Sequence, residues 1–266
     1  MNNIIQRYSK HYSTIIRLGT PIVLGQLGNV ILGFIDTIMV GQYSGAALSA
    51  AGFVNNIFNL GIFAMLGFSY GATPIIGAFY GRRENDNVGH SFRDSIWANI
   101  LFGTIVIAAY SLLYINIGNL NQPEELLPLM RPYFLILLAS LPFVILFNSF
   151  KQFTDTVAAT KTALWVIIIG NFTNVVMNYL LIFGVCGFPE MGLKGAGIAT
   201  LLSRVLMALL FVMFIIGQKR FSSYKSGFKA RRSKRSDVKK LFKVGTPLAV
   251  QMGMETASFS LASLLM

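Results

Sequence analysis

LGTPIVLGQLGNVILGFIDTIMVG, residues Leu18 to Gly41, decides the fold. It exceeds the roughly 20 residues that an α-helix needs to cross the hydrocarbon of a bilayer, and its only ionisable side chain is Asp36. An aspartate at the centre of such a helix costs ~3 kcal/mol on insertion scales, so an intramembrane acid marks a functional site whose partner has to be found. The same run carries Pro21. Proline lacks an amide hydrogen, and a kink is expected where the helical hydrogen bond is missing. A titratable group and a bendable helix therefore share one segment.

The rest of the chain fits that beginning. Of the 266 residues, 54% are apolar and 12% charged, and the mean hydropathy is +0.62, which is the composition of a polytopic membrane protein. The net charge of +12 does not indicate a nucleic-acid partner, because the basic residues lie between the apolar runs. The single Cys186 excludes an internal disulfide and a thiolate metal site, and reads as a packing residue. No nucleotide-binding loop, metal-ligand cluster or nucleophile–base pair is present. An enzyme and a cofactor are not expected, and an ion gradient is the expected energy source.

Spans are expected at about Thr14–Val40, Ala46–Tyr80, Ser95–Asn116, Leu129–Phe150, Thr162–Val185 and Ala196–Gly217. The second is over-long and rich in glycine, so it should tilt or break. Charged or turn-rich loops are expected over Gly81–Asp94, where His90 reads as a surface residue, and over Lys151–Lys161. The apolar run that starts at Leu241 continues to the last residue. With the N-terminus inside, nineteen of the twenty-two Lys and Arg fall on the inner side, Arg131 and Lys194 fall outside, and Arg204 lies within the sixth span. This positive-inside pattern implies six crossings before a basic linker, and the linker suits an anionic leaflet. Arg204 is expected near the inner half of its span, paired or snorkelling.

Residues 17–21 read RLGTP and residues 243–247 read KVGTP, each opening an apolar run. The chain starts again at an offset of 226. Two six-helix repeats joined by a long linker are a transporter plan. The expected organisation is all-α: residues 1–217 form a six-helix transmembrane lobe, 218–240 a basic cytoplasmic linker, and 241–266 the first helix of a second, repeated lobe. On this plan a whole protein has roughly 450 residues, and the chain is expected to be a fragment.

Several intramembrane polar groups accompany Asp36. Asn171, Asn174 and Asn178 recur at i, i+3 and i+7 and share one helix face. Amide oxygens beside a carboxylate form the oxygen-only setting that hard cations require, although an Asn stripe also serves helix–helix hydrogen bonding at ~0.6 kcal/mol per contact. Thr200 offers a hydroxyl at the start of the sixth span. Gln26, Asn29, Asn55, Asn56 and Asn59 either line a cavity or hold helices together. Glu255 is the only acid of the final apolar run.

The motifs GTPIVLGQLGNVILGFIDTIMVGQYSGAALSAAG, GATPIIGAFYGRRE, GLKGAGIATLLSR and QMGMET occur in the order found in the MATE (multidrug and toxic compound extrusion) transporters, and the chain resembles their NorM-type bacterial branch over its whole length. The resemblance implies a twelve-helix antiporter in the bacterial cytoplasmic membrane, monomeric when full-length, that exports small organic cations and drugs against H⁺ or Na⁺. It also implies a cation or proton site, with Na⁺ as the metal, at Asp36, Asn174, Asn178 and Thr200, and a role for Glu255 in a second site. Asn178 is an acid in some members, so a Na⁺ site here carries one formal charge. A lipid-linked oligosaccharide flippase of the same superfamily is the alternative, and should have a cationic lumen where only Arg204 is available. The other alternative is a non-transporting membrane scaffold. Cation binding at Asp36 is expected to favour a first span kinked at Pro21, shrinking the cavity and expelling drug.

Overall fold

The computed structural model describes residues 2–119, 123–230 and 235–265. Among these no strand occurs, and six helical segments are long and apolar enough to cross a membrane. The first is part of α1 (Asn2–Tyr43), whose apolar portion begins at Ile15. It passes through Pro21 without a break. A single residue, Ser44, separates it from α2 (Gly45–Tyr70), and the Ser44 hydroxyl caps the amide of Ala47. This satisfies one of the amides left free in the first turn of a helix.

The over-long second span breaks at Gly71, and α3 (Ala72–Gly81) continues beyond it. A Cβ at Gly71 would stand 2.5 Å from the Cα of Gly245, so the break lies where two backbones meet without side chains between them. Gly245 belongs to α9 (Arg235–Leu265), the helix that opens with the repeated motif, and α9 packs along α2.

α4 (Asn85–Ile115) starts ten residues before the expected Ser95. The charges of Gly81–Asp94 suggest a loop, but Val88 and Phe92, one turn apart, are buried, and Phe92 stacks on Phe153 with ring centroids 3.9 Å apart. The segment is an amphipathic helical turn. His90 is correspondingly not a surface residue: its Nε2 lies 3.4 Å from Asp94 and 3.8 Å from Asp237, which joins α4 to the start of α9.

The expected loop from Lys151 is likewise helical, because α5 (Leu127–Thr156) runs through both Pro132 and Pro142 to Thr156 and Lys151 pairs with Asp155 at 2.9 Å. The i, i+4 ion pair supports the final turn. α6 (Thr160–Phe183) and α7 (Leu193–Gly217) follow. Between them Cys186 is exposed at a φ of 59°, so it is a turn residue and not a packing residue.

The basic linker is ordered where described. Lys219–Tyr224 form a 3₁₀ turn and Lys225–Ala230 form α8, with Phe221 and Tyr224 buried beside Phe153. Residues 231–234 of the linker lie outside the described residues, and residues 235–240, expected in the linker, already belong to α9.

Five helices close a ring. α1 packs on α2, α2 on α5, α5 on α7, α7 on α6, and α6 back on α1, with α4 outside against α5. Large aromatic side chains fill the α2–α4–α5 junction. There Phe58 and Phe134 meet edge to face at 4.7 Å, and the Tyr110 hydroxyl donates to the Ile57 carbonyl while accepting from the Gly61 amide. At the α6–α7 junction contact is through backbone: a Cβ at Gly195 would stand 2.5 Å from the carbonyl oxygen of Leu181. A backbone carbonyl inside a helix cannot yield as a flexible side chain does, so Gly195→Ala should destabilise the protein by about 1–3 kcal/mol. Thermal unfolding in detergent is the check. A lower midpoint is expected for Gly195→Ala and an unchanged one for Gly52→Ala, where a Cβ meets open space.

Candidate functional site

The α1–α6 pair sets the site. Among the described residues, two side-chain hydrogen bonds join these helices, and both link residues 142 apart, Asn171 to Asn29 at 3.3 Å and Asn178 to Asp36 at 2.6 Å. The two rungs stand seven residues apart on each helix, two turns, so the helices are parallel and hold one register. Small residues let them approach: a Cβ at Gly25 would stand 3.0 Å from Ile167, and one at Gly28 would stand 3.4 Å from Asn171.

The upper rung extends inward. The Asn178 amide donates one hydrogen to Asp36 Oδ1 at 2.6 Å and the other to Asn174 Oδ1 at 2.9 Å. Asn174 in turn donates to Ser203 Oγ at 3.3 Å and, more weakly, to Thr200 Oγ1 at 3.4 Å. The Ser203 hydroxyl donates to the Thr200 carbonyl. Asp36 thus begins a continuous chain of hydrogen bonds that crosses from α1 through α6 to α7. Asn174 and Asn178 are each 1% exposed. In that setting the short bond to Asp36 has the length of a charge-assisted one.

One atom is left over. The Asn178 carbonyl oxygen, Oδ1, is buried and has no hydrogen-bond partner. The opposite amide orientation would set this oxygen against both Asp36 and Asn174 Oδ1, acceptor against acceptor, as long as Asp36 is ionised. A buried unpaired carbonyl is unfavourable by ~1–3 kcal/mol. An oxygen in this position beside a carboxylate is also what a hard cation or a carboxylic O–H would use.

Asn171 does not join this chain, and the asparagine stripe therefore divides into an Asn174–Asn178 pair at the carboxylate and a separate rung with Asn29. Asn55, on α2, accepts from the Tyr133 hydroxyl of α5 at 3.0 Å. Gln26, Asn56 and Asn59 are exposed and form no side-chain hydrogen bond among the described residues. Glu255 stands apart on α9, exposed, with Gln251 donating to it at 3.1 Å. Arg204 lies at the middle of α7 rather than toward one end, and it does not snorkel: its Nη1 donates to Ser140 Oγ at 2.6 Å.

Ser203, Ser140 and Tyr133 were not singled out from sequence. Thr200, Ser203 and Arg204 recur at i, i+3 and i+4, so their shared helix face was visible. Tyr133 and Ser140 lie two turns apart between two prolines and carried no such signal. Each of the five ring helices supplies polar groups to this assembly: Asp36 from α1, Asn55 from α2, Tyr133 and Ser140 from α5, the two asparagines from α6, and Thr200, Ser203 and Arg204 from α7.

Comparison with known proteins shows the family. The MatE family model matches residues 21–180. The chain is 30% identical over 267 residues to a probable multidrug resistance protein NorM from Mannheimia succiniciproducens, covering 98% of this chain and 56% of that protein. It is 25% identical over 261 residues to the multidrug resistance protein NorM of Vibrio cholerae, covering 98% and 57%. The chain thus spans a little over half the length of the curated relatives it matches. Among solved structures, a MATE protein in the bent conformation aligns with a TM-score of 0.80 at 22% identity, over 92% of this chain and 54% of that one. The outward-facing conformation of a multidrug resistance MATE family transporter aligns with a TM-score of 0.78 at 21% identity, over 90% and 52%. The fold is theirs, and the chain belongs to the MatE family, whose members are transporters and not enzymes.

Proposed function

We propose that this chain supplies the N-terminal six-helix lobe, and the first helix of a second lobe, of a bacterial inner-membrane transporter that exports small organic cations and drugs in exchange for H⁺ or Na⁺. Its N-terminus is cytoplasmic, as the distribution of Lys and Arg requires, and the full-length protein works as a monomer without a cofactor. The observation that carries this reading is the Asp36–Asn178–Asn174 chain ending on Ser203 and Thr200.

The chain has two consistent directions. With Asp36 ionised, the Asn178 amide donates both to it and to Asn174, and Asn174 donates onward to Ser203 and Thr200, as found. When Asp36 carries a proton, its O–H needs an acceptor, and Asn178 Oδ1 becomes one if the amide turns over. Asn174 then turns as well and accepts from the Thr200 and Ser203 hydroxyls, which donate or accept equally well. A Na⁺ ion selects the same reversed direction, because it needs oxygens rather than N–H groups around it. One cation event at Asp36 therefore changes the hydrogen bonding of α1, α6 and α7 together. Pro21 lies on the same helix as Asp36, where a missing backbone bond allows α1 to bend. Cation uptake favours the bent helix, which shrinks the lobe interior and expels the drug. Glu255 serves a second cation site in the other lobe.

Ethidium efflux from cells that produce the transporter tests the coupling. Asp36→Asn should reduce efflux at least tenfold under whichever gradient, Na⁺ or proton, drives the wild type, and Asn178→Ala should reduce it in the same sense with a smaller effect. Wild-type efflux from Asp36→Asn would rule the reading out.

The bending step has a separate test. Pro21→Ala restores a backbone donor in mid-helix, so it should slow efflux while leaving the coupling ion unchanged. Efflux at the wild-type rate would remove bending from the mechanism and leave the cation site in place.

A further inference from the structure

The side-chain cluster that joins α4 to α9 has no part in the coupling scheme. His90 and Asp94 stand one turn apart on one face of α4, and Asp237 comes from the first turn of α9. His90 Nε2 lies 3.4 Å from Asp94 Oδ2 and 3.8 Å from Asp237 Oδ2, and one ligand atom from each of the three residues lies within 4.8 Å of the others. No motif announces this group in the sequence, because the basic linker separates its third member from the other two.

As a salt-bridge cluster it is poorly satisfied. Asp94 is 2% exposed, and among the described residues its Oδ1 has no hydrogen-bond partner; His90 Nε2, also buried, has none either. The 3.4 Å separation is beyond the roughly 2.7–3.2 Å of an N–H···O bond. It matches the edge of a metal tetrahedron, since two ligands roughly 2.0–2.2 Å from one Zn²⁺ stand about 3.3–3.6 Å apart. The neighbouring cations approach from outside the cluster. Arg93 Nη2 lies 3.1 Å from Nδ1, the far nitrogen of His90, and Lys240 reaches Asp237 Oδ1 at 3.3 Å, the oxygen other than the one near His90. Between Nε2 and the two carboxylates, the described residues supply no cation.

We propose that His90, Asp94 and Asp237 bind a divalent transition-metal ion, which fastens α9 to α4. Zn²⁺ matches one imidazole and two carboxylates, and its lack of a preferred d-electron geometry tolerates the longer edge to Asp237. Three protein ligands leave a fourth position for water. A guanidinium only donates, so Nδ1 accepts from Arg93 and the proton of the neutral ring is on Nε2. The ion takes the Nε2 lone pair, the ring proton passes to Nδ1 through solvent, and Arg93 turns away. Arg93 therefore weakens the site. On the transport reading given above, α9 opens the second lobe, and a transporter has to move its lobes against each other. The ion is then an inhibitory ligand and not a cofactor.

The test is a Co²⁺ titration of the purified, tag-free transporter, followed by the visible absorption of the ion and by calorimetry, with Zn²⁺ as competitor. One equivalent should bind with the intense absorption of a tetrahedral site, and Zn²⁺ should displace it. His90→Gln and Asp237→Asn should each weaken binding roughly tenfold or more. Asp86→Asn, at an exposed acid of the same helix, should leave it unchanged, and Arg93→Gln, which offers a carbonyl oxygen to Nδ1–H, should tighten it. Thermal unfolding without metal checks that each variant is folded, and Zn²⁺ should raise the midpoint of wild type but not that of Asp237→Asn. Zn²⁺ should also slow ethidium efflux from proteoliposomes of wild type more than from those of Asp237→Asn. No stoichiometric Co²⁺ binding, or equal binding by wild type, His90→Gln and Asp237→Asn, would overturn the proposal. Binding with undiminished efflux removes the inhibitory role alone. Metal binding is read without transport, so failure of the coupling reading at Asp36 leaves this result standing.

Discussion

The contact between the Asp36 carboxylate and the Asn178 amide, 2.6 Å long, constrains the rest of this lobe. A carboxylate in the middle of a transmembrane helix is tolerated only where its lone pairs are met, and α1 has no second polar residue one turn away to meet them. The partner has to come from another helix. α6 supplies it, at a fixed register that also aligns Asn29 with Asn171. Glycines at 25 and 28 let the two backbones come close enough, and the i, i+4 repeat of Asn174 and Asn178 carries the polar chain onward to α7. Packing and polarity thus depend on each other. Without the close α1–α6 approach the carboxylate is unpaired, and without the carboxylate the buried Asn178 amide loses one of its two acceptors.

Because the helices of the ring pass the polar chain from one to the next, a local change at Asp36 is felt by α1, α6 and α7 together. No long-range mechanism is needed, since each link is a hydrogen bond that can run in either direction. The orphaned Asn178 carbonyl oxygen marks the place where the present direction is imperfect. Such an unpaired buried group is rare in folded proteins, and it makes the two directions of the chain closer in energy than a fully satisfied network would be.

Much of this was legible in the chain itself. The run Leu18–Gly41 shows its single acid, the length and glycine content of the second span announce a tilt or a break though not its place at Gly71, and the spacing of Asn174 and Asn178 puts them on one face. Helix ends were less legible, for a physical reason. Asn85–Asp94 and Lys151–Thr156 are charged, and charge suggests a loop, yet both lie at helix ends where one face still packs, through Val88 and Phe92 in the first case, and where an ion pair supports the last turn in the second. His90 was misread with the first of these. The contribution of α5 was hidden altogether, because Tyr133 and Ser140 become meaningful only when α2 and α7 are placed beside them.

The central claim is that Asp36 takes up the coupling cation within the ring. Infrared difference spectroscopy of the purified transporter tests it directly, through the C=O stretch of a protonated carboxylic acid buried in protein. The account predicts a carboxylic band that grows as the pH is lowered, shrinks when Na⁺ is added if Na⁺ shares the site, and is missing from Asp36→Asn. A band unchanged in Asp36→Asn, or a wild-type protein with no pH-dependent carboxylic band and no response of its carboxylate to Na⁺, would contradict it.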